Sequence, residues 1–503
     1  MSRTNMRRIA LLFITYHLSL IASLAEVKLP NFFSDNMVLQ QQTECNIWGW
    51  ADKGKSVVVI TSWDKKSYSA RVNDNGEFLV KVQTPKAGGP YDITFAIATP
   101  SKPNSATSGM AYDCTLHNVM IGEVWICSGQ SNMEMQMKGF KQQPVEGTTE
   151  ELMRCKDDQL RLFTVKRHAS LTPENDVTGQ WNEANSASVR DFSATAYYFG
   201  RALRTVLGFP VGLISTSWGG SACEAWMKAD WLKAFPKVKQ TITEEDVKKL
   251  QQRCPTALFN GQLKPLVGYG MRGAIWYQGE DNVPRYDYYA ELLKAMVDGW
   301  RAEWQQGDFP FYYCQIAPYD YSLIQWEGSQ YLREQQMKAE AMIPNARMAV
   351  LMDAGLEYGI HPRKKRQAGE RLALLALSNT YDVKGLPDFA IYKEVEFKND
   401  TAVIAFDRSK EWVYFEHGPH SNNFEVAGED RVFHPAEAWV SRNRVYVKSN
   451  EVKKPVAVRY AWRDWAEGDL MHDGLPVSSF RTDNWELAPS TASQGKEDYN
   501  NPK

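Results

Sequence analysis

A serine becomes a nucleophile when a nearby base takes its proton and N–H groups hold the charge that develops on the attacked carbonyl oxygen. The chain offers such parts in separate runs. Cys127-Ser128-Gly129-Gln130-Ser131-Asn132-Met133-Glu134 follows an apolar stretch, stops at a glycine and turns helical. That places Ser131 at a strand end, beside the unbonded N–H groups of a helix start. A serine or asparagine there can equally be a plain helix cap. Trp218-Gly219-Gly220-Ser221 closes another apolar run, and a Gly220 N–H can face the same point. Gln278-Gly279-Glu280-Asp281-Asn282 follows a third and brings the side-chain amides of Gln278 and Asn282, either as oxyanion donors or as caps of the next helix. The base must be a histidine. Among the eight in the chain, His361 follows a strand-like run and opens a helix, in Gly359-Ile360-His361-Pro362. Proline suits a first helical turn, and the positive end of a helix favours the neutral imidazole that a base requires.

Those residues need a frame. Apolar runs at 119–127, 211–217, 273–277, 309–316 and 348–352 alternate with helical patterns near 194–207, 288–304, 330–342 and 364–377. Such alternation predicts parallel strands joined by helical crossovers, an α/β doubly wound layer over residues 116–385. Ligands in such sheets gather beyond the carboxyl ends of the strands, where all of the runs above lie. Residues 26–115 read as a β-rich domain of short alternating strands, with a Ser-, Pro- and Gly-rich loop over 99–110. Residues 386–490 read as a second β-rich region, sandwich-like as the first, and 491–503 as a frayed polar tail.

Composition narrows the function. With 58 basic and 60 acidic side chains the formal charge is -2, so there is no electrostatic reason to expect nucleic acid or an anionic membrane as partner. The 17 Trp and 23 Tyr supply rings on which sugars stack, though β-rich cores use such rings as well. The chain opens with Arg3, Arg7 and Arg8 ahead of an apolar run from Ile9 to Leu24, closing in Ser23-Leu24-Ala25. This pattern predicts a signal peptide over 1–25 and export to a periplasmic, extracellular or lysosome-like compartment, with no membrane span after its removal. The seven cysteines show no CxxC pairing, and no metal-ligand cluster, phosphate loop or nucleotide motif stands out, so no cofactor is expected. Glu134 and Glu280 could form the carboxylate pair of a glycosidase, but that leaves Ser131, Gly220 and His361 without roles. A non-catalytic glycan-binding protein leaves both Ser131 and His361 idle.

The set Gly129-Gln130-Ser131-Asn132-Met133-Glu134, Trp218-Gly219-Gly220-Ser221 with Glu224-Ala225-Trp226, Trp276-Tyr277-Gln278-Gly279-Glu280, and Ile360-His361-Pro362 with Lys365 and Gly369 resembles the sialate O-acetylesterase family, within the SGNH (GDSL-type) hydrolases. The similarity continues through Phe424–Gly428, Pro435–Glu437, Arg459–Trp462 and Phe480–Asp483, so it spans most of the chain. The resemblance implies a three-layer fold and an O-acetylated sugar as substrate, with sialic acid first and acetylated xylan as the alternative. It also implies Ser131 as nucleophile, His361 as base, and an oxyanion hole from the Ser131 N–H, a Gly219 or Gly220 N–H and an amide. Two departures stand out. Tyr358 occupies the position where many SGNH enzymes carry the aspartate that orients the histidine, which leaves Asp353, Glu357 or a backbone carbonyl for that task. Gly279-Glu280-Asp281-Asn282 replaces the usual Gly-x-Asn, which leaves Gln278 or Asn282 as the amide.

Overall fold

The computed structural model describes residues 27–98, 110–409 and 412–485. The expected signal peptide, the polar tail and nearly all of the 99–110 loop lie outside the described residues. The chain divides into two compact units, and residues 31–45 and 83–90 group with everything from Asn118 onward.

The smaller unit is built from antiparallel strands. Ser56–Thr61 pairs with Ser67–Arg71 on one side and with residues 93–98 of Gly88–Ala98 on the other. Glu77–Gln83 alternates strictly between exposed and buried positions, the period expected of a strand with one wet face.

The larger unit is organised around a sheet of β1 (Met110–Gly129, in this unit from Asn118 onward), β2 (Asp157–Thr164), β3 (Trp181–Ala184), β4 (Val211–Ser217), β5 (Gly273–Tyr277), β6 (Phe311–Cys314) and β7 (Ala346–Ala349). Their order is β7-β6-β5-β1-β4-β2-β3. All neighbours run parallel except β3, which closes the edge antiparallel to β2. β4 is buried along its whole length, as strands covered on both faces are. Among its helices are α1 (Ser131–Glu134), α2 (Ala194–Leu207), α3 (Tyr289–Trp304), α4 (Ser329–Met342) and α5 (Lys365–Asn379). Register shows that they cover both faces. Trp125 pairs with Gly273 and Ser128 with Trp276, so the two tryptophans point to opposite sides. Trp125 meets Phe199 of α2 at 5.1 Å, while Trp276 meets Trp300 of α3 at 5.8 Å. From β1 the chain moves one way to β4 and later the other way through β5, β6 and β7. The crevice at this reversal opens beyond the carboxyl end of β1, where Ser131 sits.

The α/β alternation expected over 116–385 is present. β2 and β3 were not foreseen, since Asp157, Asp158 and Gln159 break the apolar run that signals a buried strand. A further antiparallel sheet of seven strands runs from Ile391–Lys398 to Phe480–Arg481. It is clasped to the layer by the buried Arg333 of α4, which donates to Ser479 Oγ and to the Arg463 carbonyl. Asp464 accepts from the first N–H groups of α4, at Ser329 N over 2.7 Å. Among the described residues no helix is long and apolar enough to cross a membrane. Cys45, Cys127, Cys155, Cys223, Cys254 and Cys314 are buried free thiols.

Candidate active site

β1 ends at Gly129, whose φ of 142° only glycine adopts with ease. A Cβ there would lie 2.2 Å from the Tyr277 carbonyl oxygen, so glycine is what lets β5 run alongside. Gln130 precedes the single turn of α1, leaving Ser131 half-buried as its first residue. No described residue accepts the Ser131 N–H.

The turn after β4 comes in against this serine. A Cβ on Gly219 would sit 3.3 Å from Ser131 Cβ. Glu134 locks the approach, accepting the Gly219 N–H at 2.8 Å while gripping Arg167 at 2.6 and 2.7 Å. The Arg167 guanidinium in turn lies over the Trp218 ring. With the Gly219 N–H taken, Gly220 is the glycine whose N–H no described residue accepts. It lies in the left-handed region at φ 72°, beside the side chains of Gln252 and Arg253.

The two amides expected as oxyanion donors are placed differently. Gln278 Nε2 gives both its hydrogens away, to the Ser221 carbonyl at 3.1 Å and to Asn282 Oδ1 at 2.7 Å. Asn282 Nδ2 donates to Glu224 Oε2 at 2.9 Å, and its Oδ1 also accepts the Cys223 N–H. Both side chains are wholly buried. An amide in low dielectric needs its hydrogen bonds internally, and here that need is met by bracing the loops after β4 and β5 rather than by facing a substrate.

His361 lies on the loop after β7, ahead of α5, which starts at Lys365. The histidine therefore does not open the helix. Burial, aided by the charge of Lys365, pushes the ring down to about 4. Its Nδ1 lies 2.6 Å from Gln143 Oε1. Since an amide oxygen only accepts, Nδ1 carries the hydrogen and Nε2 is left with the lone pair of a base. Asp353 is engaged with Arg371 at 2.6 and 2.5 Å, and among the described residues neither it nor Glu357 orients the ring through a hydrogen bond. No backbone carbonyl among the described residues does so either.

Among the described residues no hydrogen bond joins the Ser131 hydroxyl to the His361 ring; such contacts often tighten only when substrate binds. What ties the segments together is Asn132. It is buried and donates to Glu280 Oε1 and, at 3.1 Å, to the Ile360 carbonyl, while accepting from Lys365 Nζ. Lys365 is enclosed over the Tyr277 ring, and burial lowers its ammonium to about 7. Burial raises the Glu280 carboxyl. A glycosidase pair is thereby lost, since Glu134 is held by Arg167 and Glu280 is closed inside. Asn132, Lys365 and Gln143 gave no functional signal of their own in sequence. Asn132 and Lys365 lay inside the recognised motifs, whereas nothing local marked Gln143.

Comparison with known proteins finds carbohydrate esterases. A solved carbohydrate acetylesterase from Xanthomonas citri superposes with a TM-score of 0.81 at 32% identity, covering 91% of this chain and all of that one. The human sialate O-acetylesterase is 29% identical over 391 residues, 71% of this chain and 72% of the human one. The mouse protein of the same name is 25% identical over 502 residues, 87% of this chain and 90% of its own. These matches make the protein a carboxylic ester hydrolase that acts on carbohydrate. Residues 121–377 match the model of the carbohydrate esterases described as sialic acid-specific acetylesterases, and the chain belongs to that family.

Proposed function

We propose that this enzyme removes O-acetyl groups from sialic acid through an acyl-enzyme on Ser131. His361 Nε2 takes the proton from Ser131 Oγ as the oxygen attacks the acetyl carbonyl. The N–H groups of Ser131 and Gly220 receive the oxyanion, and His361 passes its proton to the sugar oxygen as its bond to the acetyl carbon breaks, releasing the hydroxyl. Water activated by the same ring then releases acetate. One observation carries the reading: the Gln143 contact leaves His361 Nε2 as a lone-pair base, on a loop tied through Asn132 to the segment that bears Ser131. The layer is read as the SGNH type, and the cationic and apolar opening of the chain as an export signal ahead of it.

Sialic acid as the substrate rests on the family description and on the mammalian relatives. A second reading, a neutral acetylated polysaccharide such as xylan, is compatible with the bacterial relative, a carbohydrate acetylesterase. It is also favoured by charge at the site, where Arg167, Arg253 and Lys365 each stand against a carboxylate, at Glu134, Asp281 and Glu280. Acetate release from O-acetylated sialoglycoprotein against acetylated xylan separates the two. Faster release from xylan overturns the sialate reading and leaves the chemistry intact. Ser131→Ala is expected to lower p-nitrophenyl acetate hydrolysis by at least about 10³-fold, and retained activity would sink the nucleophile.

A further inference from the structure

The contact at His361 Nδ1 is made by a short, purpose-shaped turn. Phe140 and Gln143 exchange backbone hydrogen bonds, each at 3.0 Å. Gln142 is left-handed at φ 62°, and Gly139 at φ 79° passes so near the Gln143 carbonyl that a Cβ would lie 2.3 Å from its oxygen. The turn presents two side chains to one ring. The Phe140 edge meets His361 at 5.1 Å and the Gln143 amide meets its Nδ1. Just beyond, the Glu146 N–H donates to the Arg363 carbonyl at 3.0 Å, fastening this loop to the one that carries the histidine.

We propose that Gln143 is a positioning residue standing where a hydrolytic triad has its carboxylate, and that its lack of charge keeps His361 a working base in acid solution. The proposal rests on His361 being the base of the reaction read above. A carboxylate at Nδ1 would fix the tautomer and also attract a proton to the ring; an amide oxygen fixes the tautomer alone.

The charged groups around the ring agree. From α5, Lys365 adds a positive charge that opposes protonation. From α1 and the loop after β5, Glu134 is held by Arg167, and Glu280 reaches the site only through Asn132. On the loop after β7, Asp353 is held by Arg371 and Glu357 stands beside the exposed Tyr358, while on the turn itself Lys141 is exposed. The sign follows. A base works only while neutral, and this ring takes its proton near 4 rather than at the ordinary 6.5, so activity falls as pH drops through about 4 and is intact at 6.

The test is the pH dependence of kcat/KM for acetyl-ester hydrolysis between pH 3.5 and 8, in wild type, Gln143→Glu, Gln143→Ala and Ser131→Ala. Gln143→Glu is expected to keep its plateau within about tenfold and to move the acid limb up by about 1–3 pH units. Gln143→Ala should lower the plateau kcat by roughly 10²-fold, with KM little changed, because a freely turning ring loses much of its value as a base. An acid limb that stays put in Gln143→Glu, or a full plateau in Gln143→Ala, overturns the proposal. An inactive Ser131→Ala beside either result confines the failure to Gln143, whereas a fully active Ser131→Ala overturns the hydrolytic reading as well. Should Gln143→Glu fail to fold, judged by circular dichroism, the plateau of Gln143→Ala decides.

Discussion

Gln278 and Asn282 show how little a residue type says about its task until its hydrogens are followed. Both are amides at a strand end, the place an oxyanion donor would occupy, yet their donors are directed inward. Asn282→Ala should therefore act on stability. It strips Gln278 Nε2, the Cys223 N–H and Glu224 Oε2 of a partner, and each buried group left unsatisfied costs about 1–3 kcal/mol. The expected outcome is a lower thermal midpoint, with kcat per folded molecule reduced far less than in Ser131→Ala. Melting curves with active-site titration check it, and an unchanged midpoint with lost activity would return Asn282 to the oxyanion hole. His361 makes the same point, since the distance to a neutral oxygen says more about its tautomer than any nearby carboxylate does.

The elements matter through where their ends lie. β1, β4, β5 and β7 all run parallel and finish on one edge, so loops more than two hundred residues apart can meet there. Close approach of β1 and β5 depends on Gly129, where a Cβ would run into the Tyr277 backbone at distances no rotamer can relieve. Gly129→Ala should force the two strand ends apart, with loss of soluble protein or a destabilisation above about 2 kcal/mol. Denaturant titration reads this directly, and wild-type stability would show that the strand ends tolerate separation. The bracket from Glu134 to Arg167 and the Gly219 N–H does the corresponding work for the turn after β4.

Within the larger unit, the C-terminal sheet is part of the catalytic layer's own structure. Arg333 is buried and finds its acceptors at Ser479 and Arg463, Gln315 donates to Ser478 Oγ at 2.7 Å, and Asp464 sits at the start of α4. A chain ending near residue 386 would strip that guanidinium of every acceptor but Ser329 Oγ and bare the apolar surface beneath. Truncation there is expected to yield aggregated protein or a broad, non-cooperative melt. A soluble fragment with a sharp transition and full esterase activity would refute the dependence.

Much of this was legible in the chain before any coordinates. The strands 211–217 and 273–277 and the helix 194–207 follow directly from runs of burial and helical spacing, because those patterns record local contact with a core. The motifs around Ser131 and His361 stand out for a related reason: glycines and polar residues at strand ends interrupt the apolar pattern at fixed places. The tertiary structure decided what such patterns cannot carry. β2 and β3 form because neighbours accept them, and the inward turn of Gln278 and Asn282 is set by Glu224, Ser221 and Tyr289. The partner of His361 is Gln143, 218 positions earlier in the chain. Hydrogen bonding across such separations depends on where the sheet brings the chain back, and that is a property of the assembled fold alone.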